Sequence, residues 1–463
     1  MKKIKCLLAV AVTLSGSAFA QDKKNAAPSE YMRSSLYTII LDDKGLMDPD
    51  KAEIIKTIFF ETPLPEKFND HNLAEYYRSF DPSMFSVTED ELNAVLGADS
   101  DDKPKKRKGG GFGSALAGIG KTVGVGATAG LADASDTKQL PAIFVKYFEE
   151  NNIANKIVGK WYNQSDVYDG ASSSYFNMDL IKERGLYNAT EFDKGVADKS
   201  ARGLSMLADA GENLINNTFV VGIRFNYVNK EDIAKEVAAT SSAITSLLGG
   251  SAASLANSAI QAGAAVAGKG YVIRATAFLY QLEWTEEVST TFYMDYYGAE
   301  DLSAFETSDN FNMKYIGSAT EWSDIQSTVF SKKTEEELVQ RAAIRSIDEV
   351  IGKLQKRFEV FRTKTPILTV EPEITAQIGL KEGLSAGDKF EVLEKIEDSE
   401  TGIVTYKRID VIRVEKGKIW DNRYAADEER TEMGEDATTV NATCFRGGNK
   451  NKLYPGLLIR QID

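Results

Sequence analysis

Histidine is almost absent from this 463-residue chain, with His71 the single example. A His-rich zinc site and any His/Cys metal cluster are thereby excluded. A Ser-His-Asp or Cys-His mechanism would have to pass through His71, whose setting, Phe68 to Asn72, reads as a loop cap between helices. Cysteine is nearly as scarce, with only Cys6 and Cys444. Cys6 belongs to an N-terminal segment expected to be removed, so no internal disulfide is expected and stability must come from packing. Cys444 reads as a half-buried strand residue, because Arg446 is the only adjacent basic group that would lower its pKa. Positive charge is also in deficit: Lys and Arg number 55 against 69 Asp and Glu, for a net charge of −14. So acidic a body repels phosphate backbones, which argues against nucleic acid as a partner.

What the chain does have begins at residue 1. Lys2, Lys3 and Lys5 precede an apolar centre from Leu7 to Leu14, and Ala18-Phe19-Ala20 precedes Gln21. That order reads as a secretory signal peptide over 1–20, cut between Ala20 and Gln21. Cys6 lies before the apolar centre, so lipid attachment there is not expected. Cleavage would remove three lysines and no acid, taking the charge from −14 to −17. The expected location is the periplasm of a Gram-negative bacterium, or its outer membrane.

The fold class expected is α+β with several domains: a helical N-terminal region over 30–97, an α/β core with an antiparallel sheet over 136–360, and a small SH3-like or OB-like β-barrel over 363–463. In the first region, Ile54, Ile55, Ile58 and Phe59 form a helical stripe after Pro49, and Thr88 to Glu91 caps a further helix. In the core, helices are predicted over Leu140–Gly159, Asp198–Ile215 and Thr334–Phe358. Phe219, Val221, Ile223, Phe225 and Tyr227 alternate as a strand with one apolar face. Strands are also predicted over Tyr271–Trp284 and Val288–Tyr297, joined at Thr285-Glu286-Glu287, with 300–330 as connectors. A small-residue helical hairpin is expected over 231–268. In the last region, short runs separated by Gly387-Asp388, Thr401-Gly402 and Pro455-Gly456 read as strands. The stretch from Gly383 to Val392 resembles the loop-to-strand entry of small SH3-like or OB-like barrels, which implies a fold and no activity.

Residues 98–135 differ from both flanks. Lys103, Lys105, Lys106, Arg107 and Lys108 are followed by a segment with nine glycines between Gly109 and Leu131. The pairs Gly109/Gly113, Gly120/Gly124 and Gly126/Gly130 each match Gly-x-x-x-Gly, the spacing that lets helix backbones approach closely in lipid. The first reading is a flexible linker, because glycine costs about 1 kcal/mol per residue in a helix interior. The second is a self-associating or membrane-contacting segment, helped by the basic cluster. Gly120-Lys121-Thr122 ends a relaxed phosphate-loop pattern, but no apolar strand precedes it, so no nucleotide or other cofactor is expected.

Candidate chemistry is limited to carboxylates. Glu283, Glu286, Glu287 and Asp295, or Asp166 and Asp169, could form the acid pair of a glycosidase. Asp99, Asp101 and Asp102 lack the twelve-residue calcium loop, so no metal site is assigned. Trp161, Trp284, Trp322 and Trp420 are read first as core residues and second as the lining of a sugar or peptide groove. In general organisation the chain resembles uncharacterised secreted proteins of Gram-negative anaerobes. The function expected is binding or assembly in the cell envelope, with a protein or glycan partner and peripheral membrane contact as a further interaction. The alternatives are an Asp/Glu-dependent glycan or peptidoglycan hydrolase, and a protein that enters membranes through its glycine-rich segments.

Overall fold

The computed structural model describes residues 34–42, 49–62, 64–65, 68–69, 78–97, 136–168, 174–179, 181, 214–229, 270–326, 334–397, 404–432 and 441–462. The signal segment, His71, the glycine-rich segment 109–131 and the hairpin expected over 231–268 lie outside these residues, as does most of the helix expected over 198–215.

The chain is of mixed α+β class, with helices and two sheets. In order, the elements of the first part are β1 (Ser34–Leu41), α1 (Pro49–Glu61), β2 (Phe68–Asn69), β3 (Ser79–Phe80), α2 (Glu89–Leu96), α3 (Leu140–Glu150), α4 (Ile153–Trp161), β4 (Thr218–Asn229), β5 (Gly270–Leu282), α5 (Glu286–Thr291), β6 (Met313–Gln326) and α6 (Glu335–Arg357). The first sheet runs β2-β1-β4-β5-β6, and β3 pairs with the far end of β1. The β1–β4 pair is parallel, whereas β4, β5 and β6 are antiparallel. Residues 30–97 are therefore not purely helical: β1 lies inside the sheet, with Leu36 and Ile39 almost fully buried.

Strand alternation builds a core on each side of this sheet. Tyr37, Ile39, Leu41, Val220, Phe278, Tyr280 and Leu282 point toward α3 and α4. Leu36, Ile40, Phe219, Val221, Ile223, Phe225, Ala275, Ala277 and Leu279 point the other way, toward α1 and α6. Successive strand side chains alternate between faces, so a strand covered on both sides must be apolar at nearly every position. The predicted one-sided alternation of β4 holds for its α6 face, while Val220 serves the opposite one.

Three local differences have physical causes. The helix predicted over Leu140–Gly159 is two helices, broken at Asn151-Asn152, where Asn152 adopts a left-handed conformation (φ 49°). Asparagine is among the few residues that do this at small cost. The strand predicted over Val288–Tyr297 is instead α5 followed by a wide π-type turn, Phe292–Tyr296. Phe292, Tyr293, Tyr296 and Tyr297 pack inward at helical spacing. Thr285 caps the helix, accepting from the Val288 N–H, and Glu286 and Glu287 sit in its first turn, where the helix dipole favours carboxylates. Finally, β6 lies within the segment expected to be connectors. A bulge between Leu279 and Tyr280 shifts its register, so Met313 and Tyr315 face one core and Ile316 and Ala319 the other. Simple alternation is lost there.

The second sheet contains β7 (Thr365–Pro366), β8 (Ile374–Ala376), β9 (Lys389–Glu397), β10 (Val404–Val414), β11 (Thr443–Gly447) and β12 (Leu458–Ile462), with a helix α7 (Ala426–Glu432) between β10 and β11. Its order is β7-β12-β9-β10-β11-β8, every pair antiparallel. A bridge between Thr369 and Thr375 links its two ends, which leaves a nearly closed, barrel-like sheet around Phe390, Val392, Ile412, Val414, Phe445 and Ile459.

Helix α6 joins the two sheets. Thr334 and Glu337 form a capping box at its start. Its apolar face, including Val339, Ala342, Val350, Ile351 and Leu354, covers the first sheet. Its polar face meets the second. Arg341, only 5% exposed, pairs with Glu428 and Glu429 of α7, and Arg345 pairs with Glu429 at 2.9 Å and donates to the Tyr424 carbonyl at 2.8 Å. Lys356 bonds the Gly383 carbonyl and Asp388, and Lys381 reaches Asp348. Glu349 lies in the same junction. Burial, then the charges of Glu321 on β6 and its neighbour Asp348, push its carboxyl up to about 7 against the pull of Arg423 and Arg345.

Two outcomes test this packing. A Cβ on Gly222 of β4 would sit 2.1 Å from the Phe144 ring of α3. Gly222→Ala should therefore destabilise the fold by about 3 kcal/mol, measured by urea unfolding. Glu349 is easier to protonate folded than unfolded, so its contribution is fully present below 4.5 and is lost as pH rises through about 7. Glu349→Gln should match the parent near pH 4 and exceed it near pH 8, by at most about 3 kcal/mol, in chemical denaturation at the two pH values.

Candidate functional site

The aromatic end of the first core positions the candidate site. Tyr162, just after α4, packs against Phe292 with ring centres 4.3 Å apart, and Phe176, Phe305 and Phe311 extend the cluster. The Tyr162 and Tyr293 hydroxyls are 2.8 Å apart, so the half-exposed tyrosines of the π-type turn are tied to the interior. Rings at these spacings, tilted or edge to face, interlock and hold the surrounding loops in one arrangement.

Above this cluster, the loop leading into β6 closes against the break between α3 and α4. Asn155, buried in α4, donates to the carbonyls of Phe305 (2.7 Å) and Ser308 (2.9 Å). The Tyr296 hydroxyl contacts Ser308 Oγ at 2.8 Å and accepts from Asn310 at 2.7 Å, and Asn312 donates to the Asp309 carbonyl at 3.1 Å. These bonds fix a cleft of about 220 Å³, walled by Phe148, Phe311 and Met313 and edged by Asn152, Asp309 and Asn312. That is below the roughly 300–1,000 Å³ of sites for drug-sized ligands. It has room for one ring or one side chain. Glu149 stands on the same rim, where partial burial and the negative charges of Glu91 and Asp309 hold its carboxyl above the usual range. The cleft therefore offers planar amides and carboxylates, groups that can pair with adjacent hydroxyls, over a floor of buried rings.

The residues singled out in the sequence do not converge on this cleft. Ala20, Gln21, Asp169, Asp99, Asp101 and Asp102 lie outside the described residues, as do Gly109, Gly113, Gly120, Gly124, Gly126 and Gly130. Glu286 and Glu287 are exposed in the first turn of α5, Asp295 is exposed in the π-type turn, and Asp166 is exposed in a loop. Trp161 and Trp284 are core residues, Trp161 fully buried and donating to Thr218 Oγ1 at 2.9 Å. Cys444 is buried on β11, its Sγ 3.2 Å from Glu373. Burial and that carboxylate push its thiol up to about 11, so it is a poor nucleophile.

Gly383 to Gly387 has the Gly-x-Ser-x-Gly spacing of a nucleophile elbow. Its serine, Ser385, is exposed in a turn leading into β9, where its N–H donates to Asp388 at 2.9 Å. The strand-to-helix turn that an elbow requires is not what surrounds it. No group of three or more metal-ligating side chains occurs among the described residues, and none of their helices is long and apolar enough to cross a membrane.

Glu149, Asp309 and Asn312 were not legible as a set, because their meeting depends on the α3–α4 break and on the loop that Asn155 holds. No family model matches the chain, and no curated protein matches it significantly.

Proposed function

We propose that this chain is a secreted protein of the bacterial envelope that works by binding, with a glycan as its partner. The observation that carries the reading is the Asn152–Asp309–Asn312 edge set beside Phe148 and Phe311 in a cleft sized for one ring. Such a site binds a polymer through one residue at a time, which suits an adaptor on an extended chain. In this reading residues 1–20 are removed on export, 98–135 are an insertion between α2 and α3 of the core, and the last hundred residues form a small SH3-like or OB-like barrel that serves as a second docking module. Peripheral membrane contact through the basic and glycine-rich segment would add to retention at the envelope.

One observation favours a second reading. Glu149, held above its usual range, shares a rim with Asp309, and a raised acid beside a second carboxylate is the pairing used in glycoside hydrolysis. Incubating the purified chain with insoluble peptidoglycan separates the two. Binding predicts co-sedimentation without release of reducing ends, weakened about tenfold, equivalent to about 1.4 kcal/mol, by Asp309→Asn combined with Asn312→Ala. Release of reducing ends that Glu149→Gln abolishes would establish the hydrolase instead. A chain left wholly in the supernatant would remove the glycan.

A further inference from the structure

A second cleft, of about 390 Å³, opens where the first sheet meets the barrel-like sheet. Leu214 and Asn217, just before β4, form one side; Val360, Arg362, Lys364 and Arg460 form the other. We propose that this cleft binds the carboxylate of a small amphipathic ligand, with Lys364 as its principal contact.

The cations here differ in what already occupies them. Arg460 is engaged by Glu391, at 2.7 Å from Nε and 2.6 Å from Nη2, and by Glu359 at 3.2 Å. Arg362 donates to the carbonyls of Gln355, Lys356 and Gln461 and so caps the end of α6. Lys364 has no hydrogen bond or ion pair with any described residue. Its ammonium rests over the Tyr406 ring, 4.8 Å from the centre. A half-buried ammonium held by a ring face, with its one charged neighbour of opposite sign, Glu391, already paired to Arg460, is under-solvated. Burial, then the charge of Arg460, hold its pKa below the usual lysine range against the pull of Glu391.

Charge and shape choose the ligand class. Arg362, Lys364 and Arg460 against Glu359 and Glu391 leave one positive charge, which a carboxylate neutralises and a phosphate dianion would overshoot. Val360, half exposed, lines the same space with the buried Leu214 behind it, so the rest of the ligand meets an apolar side chain. A short fatty acid and a peptide C-terminus share this chemistry, and the test distinguishes them.

The test uses the depressed basicity of Lys364. The chain is treated briefly with an amine-acetylating reagent at about pH 7.5, at fixed ionic strength, and labelling of Lys364 is compared with that of Lys353 by peptide mass spectrometry. Hexanoate or N-acetyl-alanyl-alanine should slow Lys364 labelling by about fivefold or more, because an ammonium paired with a carboxylate is held protonated, and should leave Lys353 unchanged. The stronger protector identifies the source. Hexanamide, the amidated peptide and inorganic phosphate should protect little. The proposal is overturned if neither carboxylate protects, if the amides protect equally, or if phosphate protects as well as they do. Lys364→Gln, which loses no hydrogen bond, should remain folded and lose the rise in melting temperature that the protecting carboxylate gives the parent; an equal rise in the variant would also overturn it.

Discussion

The two sheets depend on one helix with two incompatible faces. α6 covers the first core with aliphatic side chains and meets the barrel-like sheet with arginine and lysine. Arg341 and Arg345 are buried by that contact, so each must keep its carboxylate or carbonyl partners there. Removing one partner from such a pair costs about 3–5 kcal/mol, whereas the intact pair adds little net stability over an apolar contact. The arrangement thus contributes geometry more than strength: it seats the barrel-like sheet on α6 where Arg341 and Arg345 meet their partners. The second cleft exists because of that position, since its walls come from both sides of the junction.

On the α3–α4 face of the first sheet, geometry is fixed by rings in place of charges. Gly222 leaves the hollow that Phe144 enters, as Gly317 of β6 does on the α6 face for Phe358. From Phe144 the aromatic contacts run through Phe148 and Tyr280, and a second group runs from Tyr162 through Phe292 to Phe311 at the wall of the first cleft. Side chains locked by packing hold loops more exactly than loop residues can hold themselves. Asn155 then spends both its N–H groups on the backbone of the loop it supports. Its role is to position its neighbours.

How much of this could be read from the chain follows from the range of the interactions. Helix α6 was legible because Thr334, Glu337 and a long apolar stripe are all local signals. So were α2, with its Thr88–Glu91 capping box, and β4, with its regular alternation. Strand β6 was not, because its register shift is set by pairing with β5, far along the chain. The segment after Thr285 misled for another reason. Phe292, Met294 and Tyr296 satisfy a two-residue period, yet the capped turn at Thr285 and the inward packing of Phe292, Tyr293, Tyr296 and Tyr297 select a helical one, and Met294 is left 79% exposed. The carboxylates that looked paired in sequence, Glu286 and Glu287, sit where helix dipoles favour acids, a structural role that accounts for them without chemistry. Those that do share a cleft, Glu149 and Asp309, are distant in the chain and carry no local mark.

The balance of charge bears on what either cleft can receive. The chain is strongly acidic overall, −14 from 463 residues, so its far field repels anions before contact. That field is screened over about 8 Å at physiological salt, whereas a half-buried charge such as Lys364 acts at contact distance and is screened far less. On the proposal for Lys364, the combination would discriminate by size of charge. A polyanion feels the whole acidic surface along its length and gains little from one lysine, but a monoanion small enough to enter the junction meets the local excess of cations alone. The first cleft has the opposite polarity, with Glu149 and Asp309 at its rim, and would reject that same monoanion while accepting neutral hydroxyls. Under the two proposals, recesses of opposite sign would therefore give the chain two ligand preferences that do not compete.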